Sequence, residues 1–94
     1  MKVIGTNKID EFIRKHTDSK NWLQAWLAET RSREWQSPVD VKLRYKSASI
    51  LGDNRVIFDI KGNRYRMETQ VSYKMKVVFI KRLGTHAEYS RWDS

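Results

Sequence analysis

The chain has 94 residues, and its 19 lysines and arginines outnumber its 11 aspartates and glutamates, which gives a formal net charge of +8. This length predicts a single domain, residues 1–94, with one modest core. The charge favours a polyanionic partner, nucleic acid before an acidic protein. The chain has no cysteine and only two histidines, which excludes disulfides and thiolate zinc sites; neither a metal nor a cofactor is expected.

The sequence also argues against a membrane location. No apolar run reaches membrane-spanning length, and the start of the chain, "MKVIGTNKID", turns polar after four residues, unlike a secretory signal. The positive charge is spread along the chain rather than gathered on one amphipathic helix. A cytoplasmic location is therefore the default expectation, with no membrane partner.

The chain starts with a predicted strand and helix. The strand "MKVIG" ends at Gly5, after which Thr6 or Asn7 is placed to cap a helix of roughly residues 7–16. This helix is indicated by Ile9, Phe12 and Ile13, which recur at helical spacing, with His16 a turn later as a structural residue.

A second helix is predicted from a cap at Asp18 or Ser19 to an end near residues 31–32. Trp22 and Trp26 lie at i and i+4 on this helix and therefore share a face. The usual burial of aromatic residues predicts that both belong to the core.

The next segment, "SPVDVKLRY", supports two interpretations. Ser37 as a cap, Pro38 at the first helical position and Asp40 in the first turn favour a short third helix. The apolar alternation in residues 41–45 fits a strand equally well. Residues 46–54 are predicted to form a loop.

Three runs rich in β-branched and aromatic residues, 55–60, 63–73 and 76–83, predict an antiparallel meander. The link Gly62-Asn63 fits a two-residue type II′ turn, because glycine at its first central position accepts a positive φ. In the resulting register Lys61 faces Arg64, Ile60 faces Tyr65, Asp59 faces Arg66, Phe58 faces Met67, Ile57 faces Glu68 and Val56 faces Thr69.

This register divides the meander into two faces. The apolar face carries Val56, Phe58, Ile60, Tyr65, Met67 and Val71. The mixed face carries Asp59, Lys61, Arg64, Arg66, Glu68 and Gln70 together with Ile57, Val77, Phe79 and Leu83. A second two-residue turn, at Lys74-Met75, places Lys81 opposite Glu68. A mixed aromatic and cationic face suits a nucleotide; the alternative is the solvated side of an ordinary sheet.

The tail "LGTHAEYSRW" follows the last strand. Thr85 is suited to cap a final helical turn, and His86 and Tyr89, three residues apart, share a face of such a turn. Because the tail leaves the strand that neighbours Arg64 and Arg66, its side chains are expected to fold back toward these arginines.

Specific motifs stand out in "GDNRVIFDIKGNRYRM" (residues 52–67) and "VVFIKRLGTHAEY" (residues 77–89). The segment "KHTDSKNWLQAWLAE" and the W-x-x-P-x-D spacing of Trp35, Pro38 and Asp40 accompany them. Together they resemble the HigB family of toxins from bacterial type II toxin–antitoxin systems. The resemblance implies a RelE-like α+β fold, with two N-terminal helices packed on a twisted antiparallel sheet of about four strands and a short C-terminal helical turn.

The same resemblance implies a function. Proteins of this family are expected to be messenger-RNA endoribonucleases that generally act on translating ribosomes and contact ribosomal RNA. They are restrained by a helix-turn-helix antitoxin called HigA, so a HigA-like protein is the expected partner. Two alternatives remain open: a ParE-like toxin that inhibits DNA gyrase, and a non-catalytic RNA- or ribosome-binding module.

Metal-free RNA cleavage needs a base for the 2′-hydroxyl, cations for the charge that builds on phosphorus and an acid for the 5′-oxygen, and it gives a 2′,3′-cyclic phosphate and a 5′-hydroxyl. Planar guanidinium groups suit the phosphate, and histidine suits proton transfer near neutrality. Glu68 is the competing base, disfavoured by its expected partner Lys81. The candidate catalytic residues are Arg64, Arg66, His86, Tyr89 and Lys61; the candidate RNA-binding residues are Lys81, Arg82 and Arg55.

Overall fold

A computed structural model describes residues 1–92, and these residues form four α-helices and five strands. The elements in chain order are strand β1 (Lys2–Ile4), helix α1 (Thr6–Lys15), a 3₁₀ helix (Thr17–Ser19), α2 (Lys20–Ser32), α3 (Pro38–Arg44), β2 (Ser49–Ile50), β3 (Arg55–Ile60), β4 (Tyr65–Ser72), β5 (Val77–Thr85) and α4 (His86–Tyr89). The predicted α+β class is confirmed.

The sheet differs from the predicted one in size and in strand direction. Its order is β1-β5-β4-β3-β2, and β1 pairs in parallel with β5 while the other pairs are antiparallel. The prediction of about four antiparallel strands was therefore wrong. Strand β1 joins a partner more than 70 residues away, a pairing that local sequence patterns do not carry. Strand β2 lies in the segment predicted as a loop, and two residues are too few to produce a detectable alternation.

The first two helices lie where the sequence places them, and α2 has its N-cap residue at one of the two predicted positions, but neither helix begins with a side-chain cap. Gly5, rather than Thr6 or Asn7, is the N-cap residue of α1, with a φ of 97°. A Cβ atom at Gly5 would lie 2.9 Å from the carbonyl oxygen of Ile80, so a larger residue is excluded sterically as well. Ser19 is the N-cap residue of α2 but makes no side-chain cap; its hydroxyl donates to the His16 carbonyl oxygen instead.

Residues 38–44 form a helix, which decides between the two interpretations of this segment. Pro38 lies in its first turn, and the Asp40 carboxylate accepts the Gln36 N–H at 2.8 Å. Val41 is fully buried, whereas Val39 and Leu43 are exposed. A proline start and an acidic first turn therefore outweigh the short apolar alternation.

The core lies between the helices and the apolar face of the sheet, and aromatic residues dominate its centre. The Phe58 ring meets the Trp26 and Tyr45 rings edge-on, each at 5.3 Å between centroids, and stacks near Trp35 at 6.3 Å. Trp26 is buried and Trp22 packs against the core, which confirms the core prediction for both.

The predicted register of β3 and β4 is confirmed from the Val56–Thr69 pair to the Ile60–Tyr65 pair. The turn itself is wider than predicted, because strand pairing stops there and residues 61–64 form the loop. Lys61 and Gly62 both have positive φ values, 52° and 69°, and the Arg64 N–H donates to the Lys61 carbonyl oxygen at 3.4 Å. Lys61 and Arg64 are therefore loop residues rather than a strand pair.

A β-bulge corrects the predicted register of β4 and β5. Thr69 pairs with Ile80 as expected, but Glu68 pairs with Arg82, so that Lys81 is the extra residue. One extra residue reverses the side-chain parity of the rest of the strand. Leu83 consequently packs against the core rather than on the mixed face, and Arg82 replaces Lys81 as the partner of Glu68.

Within residues 1–92, the helices are too short or too polar for any of them to cross a membrane.

Candidate functional site

Arg64 lies in the β3–β4 loop and is exposed to solvent. A contact with Asp18, from the N-terminal part of the chain, orients its side chain. The Arg64 guanidinium donates to one oxygen of the Asp18 carboxylate at 2.6 Å, and the Tyr65 hydroxyl donates to the other oxygen at 2.6 Å. Asp18 belongs to the 3₁₀ helix between α1 and α2. The sequence predicted Asp18 only as a helix cap; its contact with residues 46 and 47 positions away carries no local signal.

The two hydrogen bonds to Asp18 have an electrostatic consequence. The bond from the Tyr65 hydroxyl, followed by the bond from the Arg64 guanidinium, lowers the pKa of the Asp18 carboxyl below its ordinary value of 3.8. The same contacts raise the pKa of Tyr65 and of Arg64. The charged forms of Asp18 and Arg64 therefore stabilise each other in the folded chain.

A pH dependence follows from the lowered pKa of Asp18. Its contribution to stability is present above the ordinary, unfolded-state pKa of 3.8 and is lost as the pH falls through the lower folded-state value. We expect Asp18→Asn to lower the urea midpoint at pH 7, and we expect this difference from the parent to shrink and vanish as the pH approaches 2. A constant difference between pH 7 and pH 2 would contradict the assigned contact.

Arg66, one strand position from Tyr65, is in a different state from Arg64. Its side chain is only 10% exposed, and its Nε lies 3.1 Å from the Asp59 carboxylate, the cross-strand partner predicted from the register. Its remaining nitrogens donate to the Tyr65 carbonyl oxygen and to Asn63, both at 3.3 Å. The Tyr89 ring covers the guanidinium, 5.2 Å from the ring centroid. Arg66 therefore supports the loop and Tyr89 rather than facing solvent.

Helix α4 is attached to the sheet by its first residues. Thr85 and Glu88 form a capping box: the Thr85 hydroxyl accepts the Glu88 N–H at 3.1 Å, and the Glu88 carboxylate accepts the Thr85 N–H at 2.8 Å. The backbone N–H of the exposed His86 donates to the Arg64 carbonyl oxygen at 3.1 Å. The predicted Thr85 cap is thus present, and His86 is held next to the β3–β4 loop.

The tail beyond α4 folds over the mixed face of the sheet. Trp92 lies against the Arg82 guanidinium, 4.3 Å from the ring centroid, and meets the Tyr89 ring edge-on at 5.4 Å. Beneath them the buried Glu68 carboxylate accepts Arg82 at 2.7 Å and Arg55 at 3.5 Å. Arg55 and Arg82 are therefore largely engaged with Glu68, and Glu68 is unsuited to act as a base.

Lys61 and Lys81 are exposed cations at two separate places. Lys61 lies in the same loop as Arg64, whereas Lys81 lies at the bulge and borders a groove against α1 that Lys8 and Lys15 also line. The structure thus brings together Lys61, Arg64 and His86 as an exposed group, which we call the loop cluster, with Arg66 and Tyr89 packed behind it. Arg55, Arg82 and Lys81 lie outside this cluster.

Sequence reasoning missed Asp18 and Trp92 as members of this region. Trp92 carried a weak signal, since an aromatic residue follows "HAEY" within one helical turn. Among residues 1–92 no group of three or more histidine, cysteine, aspartate or glutamate side chains is arranged to hold a metal ion.

In this α+β protein the helices pack on one face of a small sheet, and cationic side chains lie on the other face. A protein-family model described as "HigB_toxin, RelE-like toxic component of a toxin-antitoxin system" matches residues 19–92. The match covers well over half of the chain, and the chain belongs to this HigB toxin family. It is therefore the toxin of a toxin–antitoxin pair, with an antitoxin as partner. No curated protein matches the chain.

Proposed function

We propose that this toxin is a messenger-RNA endoribonuclease that acts on translating ribosomes without a metal ion. The observation that carries the proposal is the hydrogen bond from the His86 N–H to the Arg64 carbonyl oxygen at 3.1 Å. It holds a group capable of proton transfer beside an exposed guanidinium and an exposed ammonium, that of Lys61. These are the functional groups that transesterification of RNA requires.

The reaction is an attack by the ribose 2′-oxygen on the adjacent phosphorus. A base removes the 2′-hydroxyl proton, the bond from phosphorus to the 5′-oxygen breaks, and an acid protonates the departing 5′-oxygen. The products are a 2′,3′-cyclic phosphate and a 5′-hydroxyl. His86 acts as the base or the acid, and Tyr89 either supplies the other proton transfer or stacks on a base.

Arg64 is the proposed phosphate clamp. Its guanidinium contacts a carboxylate, Asp18, through a charge-assisted hydrogen bond, and a phosphate oxygen makes the same kind of contact. Binding of RNA then exchanges one anion for another at the exposed guanidinium. Arg66, in contrast, has a positioning role, because its nitrogens are engaged by Asp59, Asn63 and the backbone and its face is covered by Tyr89.

The net charge of +8 supports a ribosome-bound site of action. Ribosomal RNA offers dense phosphate, and a protein that neutralises several phosphates binds in a salt-dependent manner. Lys81, Arg82 and Arg55 contribute to this attraction in the proposal, with Lys81 the most accessible of the three. The antitoxin of the pair is proposed to be a HigA-like helix-turn-helix protein, and the site of action is proposed to be the cytoplasm, where ribosomes translate.

Induction of the chain in cells, followed by mapping of messenger-RNA 5′ ends, tests the proposal. We expect new ends in register with the reading frame, and we expect them to carry a 5′-hydroxyl, so that an adaptor ligates only after treatment with polynucleotide kinase. Cleavage by the purified toxin on purified ribosomes should leave a 2′,3′-cyclic phosphate at the 3′ end of the upstream fragment, the product of attack by the 2′-oxygen. Arrest of translation without new in-frame ends would reject the nuclease in favour of a binding module. Arrest of DNA gyrase would favour the ParE-like alternative.

A further inference from the structure

A second region of the mixed face lies away from the loop cluster, near β1. Phe79 in β5 is 39% exposed there, and its parallel partner in β1, Ile4, is 41% exposed. Phe79 and Ile4 lie on the face opposite the helices, because their neighbours Val78, Ile80 and Val3 pack into the core. Tyr89 and Trp92 cover Arg66 and Arg82 farther along the sheet and leave this end open.

Polar groups surround the Phe79 ring in an open groove of about 310 Å³. Gln70 is its cross-strand partner, and the Gln70 amide donates to the Asp53 carbonyl oxygen at 2.9 Å, which holds the amide beside the ring. Lys81, exposed at the bulge, borders the same groove. The described residues that line the groove include no carboxylate; they are Asn54, Gln70, Val71, Ser72, Phe79 and Lys81.

We propose that this groove binds one unpaired base of a single-stranded RNA, with the base stacked on Phe79. The Gln70 amide hydrogen-bonds to the base edge, and the Lys81 ammonium contacts the phosphate next to it. Stacking on an exposed aromatic side chain tolerates any base, because every base has a π-face. The inference deepens the proposed nuclease function, on which it rests, by adding a base-binding site distinct from the loop cluster.

The position of the groove fits a strand of RNA that also reaches the loop cluster. Phe79 and Gly84 lie on the same strand, and Gly84 is the partner of Arg66. Five residues at about 3.3 Å each give a separation of roughly 16 Å. An RNA strand that joins the two sites therefore passes beside the tail, where Trp92 lies against β5 at Gly84 and covers one side of the partly exposed Arg82.

The size and the charge of this region argue against a protein as its occupant. Two apolar side chains, Phe79 and Ile4, supply far less than the roughly 800 Å² that each partner buries in a stable protein interface. A lysine and three uncharged polar residues border the ring, a combination that matches a base and a phosphate better than an apolar helix.

Binding of a fluorescein-labelled ten-nucleotide oligouridylate, followed by anisotropy, tests the inference in the full chain carrying His86→Ala to prevent cleavage. We expect Phe79→Ala and Phe79→Leu to weaken binding by roughly 5- to 150-fold, the range for one lost base stack, and Phe79→Trp to bind as tightly as Phe79. The variants should have the same order of affinity for oligocytidylate. Met75→Ala, which removes an apolar side chain that is 70% exposed in the β4–β5 loop, is the matched control and should not change binding.

Three outcomes would overturn the inference. The Phe79→Ala variant could bind RNA as tightly as the protein with Phe79, the Phe79→Leu variant could retain full RNA affinity, or Phe79→Ala could lose binding to the antitoxin instead of binding to RNA. Failure of the nuclease proposal is distinguishable, because it is read from cleavage. If the unmutated chain makes no in-frame cuts yet Phe79→Ala loses RNA affinity, the base-binding site stands and the nuclease falls. If the unmutated chain cuts and Phe79→Ala binds normally, the nuclease stands and the base-binding site falls.

Discussion

His86→Ala is expected to lower the rate of messenger-RNA cleavage by about 10²- to 10⁴-fold, the usual contribution of one positioned acid or base, and to abolish growth arrest. The imidazole is exposed, and the backbone of His86, rather than its ring, bonds Arg64, so the variant should fold with an unchanged urea midpoint. Single-turnover cleavage of ribosome-bound messenger RNA gives the rate. Sedimentation with ribosomes should show undiminished binding.

Arg64 provides the companion measurement. Arg64→Ala should weaken both cleavage and RNA binding, whereas Arg64→Lys should restore charge without the planar contact and recover only part of the activity. Arg31→Ala, which removes an exposed arginine from α2, controls for the loss of one positive charge. If His86→Ala and Arg64→Ala both cleave as fast as Arg31→Ala, the loop cluster is not the active site.

Phe58→Ala is expected to produce a large loss of stability, about 3–5 kcal/mol of unfolding free energy. The Phe58 side chain is fully buried, and three aromatic rings, those of Trp26, Trp35 and Tyr45, surround it. Large rings around a removed ring cannot readily collapse into the space. Urea denaturation monitored by circular dichroism measures the change.

The chain offers a matched control in Phe79→Ala, the same substitution at an exposed position of the same sheet. It should change the unfolding free energy by no more than about 0.5 kcal/mol, as is usual for surface positions. Similar losses at Phe58 and Phe79 would mean that the two faces of the sheet are equally packed, contrary to the burial described here.

The sequence predicted those parts of the fold that local chemistry determines. Helical spacing located the first two helices, and alternation with the Gly62-Asn63 turn located β3 and β4 and their register from Val56 to Ile60. Strand β2 was missed because it is only two residues long. Strand β1 was predicted, but its parallel pairing with β5 was missed because the partner residues lie more than 70 positions away in the chain. The bulge was missed because an inserted residue leaves the alternation intact on each side of it.

The loop cluster was predictable in the same limited sense. The turn and the tail placed Arg64, Lys61 and His86 near one another. The alternation of side chains between the two faces of a strand did not show which arginine is exposed and which is buried in contacts with other side chains. Arg66 is engaged because Asp59 lies across the strand and Tyr89 lies over it, and only the first of these contacts follows from the register. The contact of Asp18 with Arg64 depends on how the 3₁₀ helix docks against β4, which no local pattern describes.

The bulge in β5 places the charges of the neighbouring residues Lys81 and Arg82 in different surroundings. The Arg82 charge is offset by the Glu68 carboxylate, whereas the Lys81 ammonium is exposed. Lysine is also the residue whose charge acetylation removes. Acetylation of Lys81 would therefore reduce the attraction of this surface for a polyanion and leave the ion pair that joins β4 to β5 in place, so the proposed binding of RNA could be weakened without loss of stability.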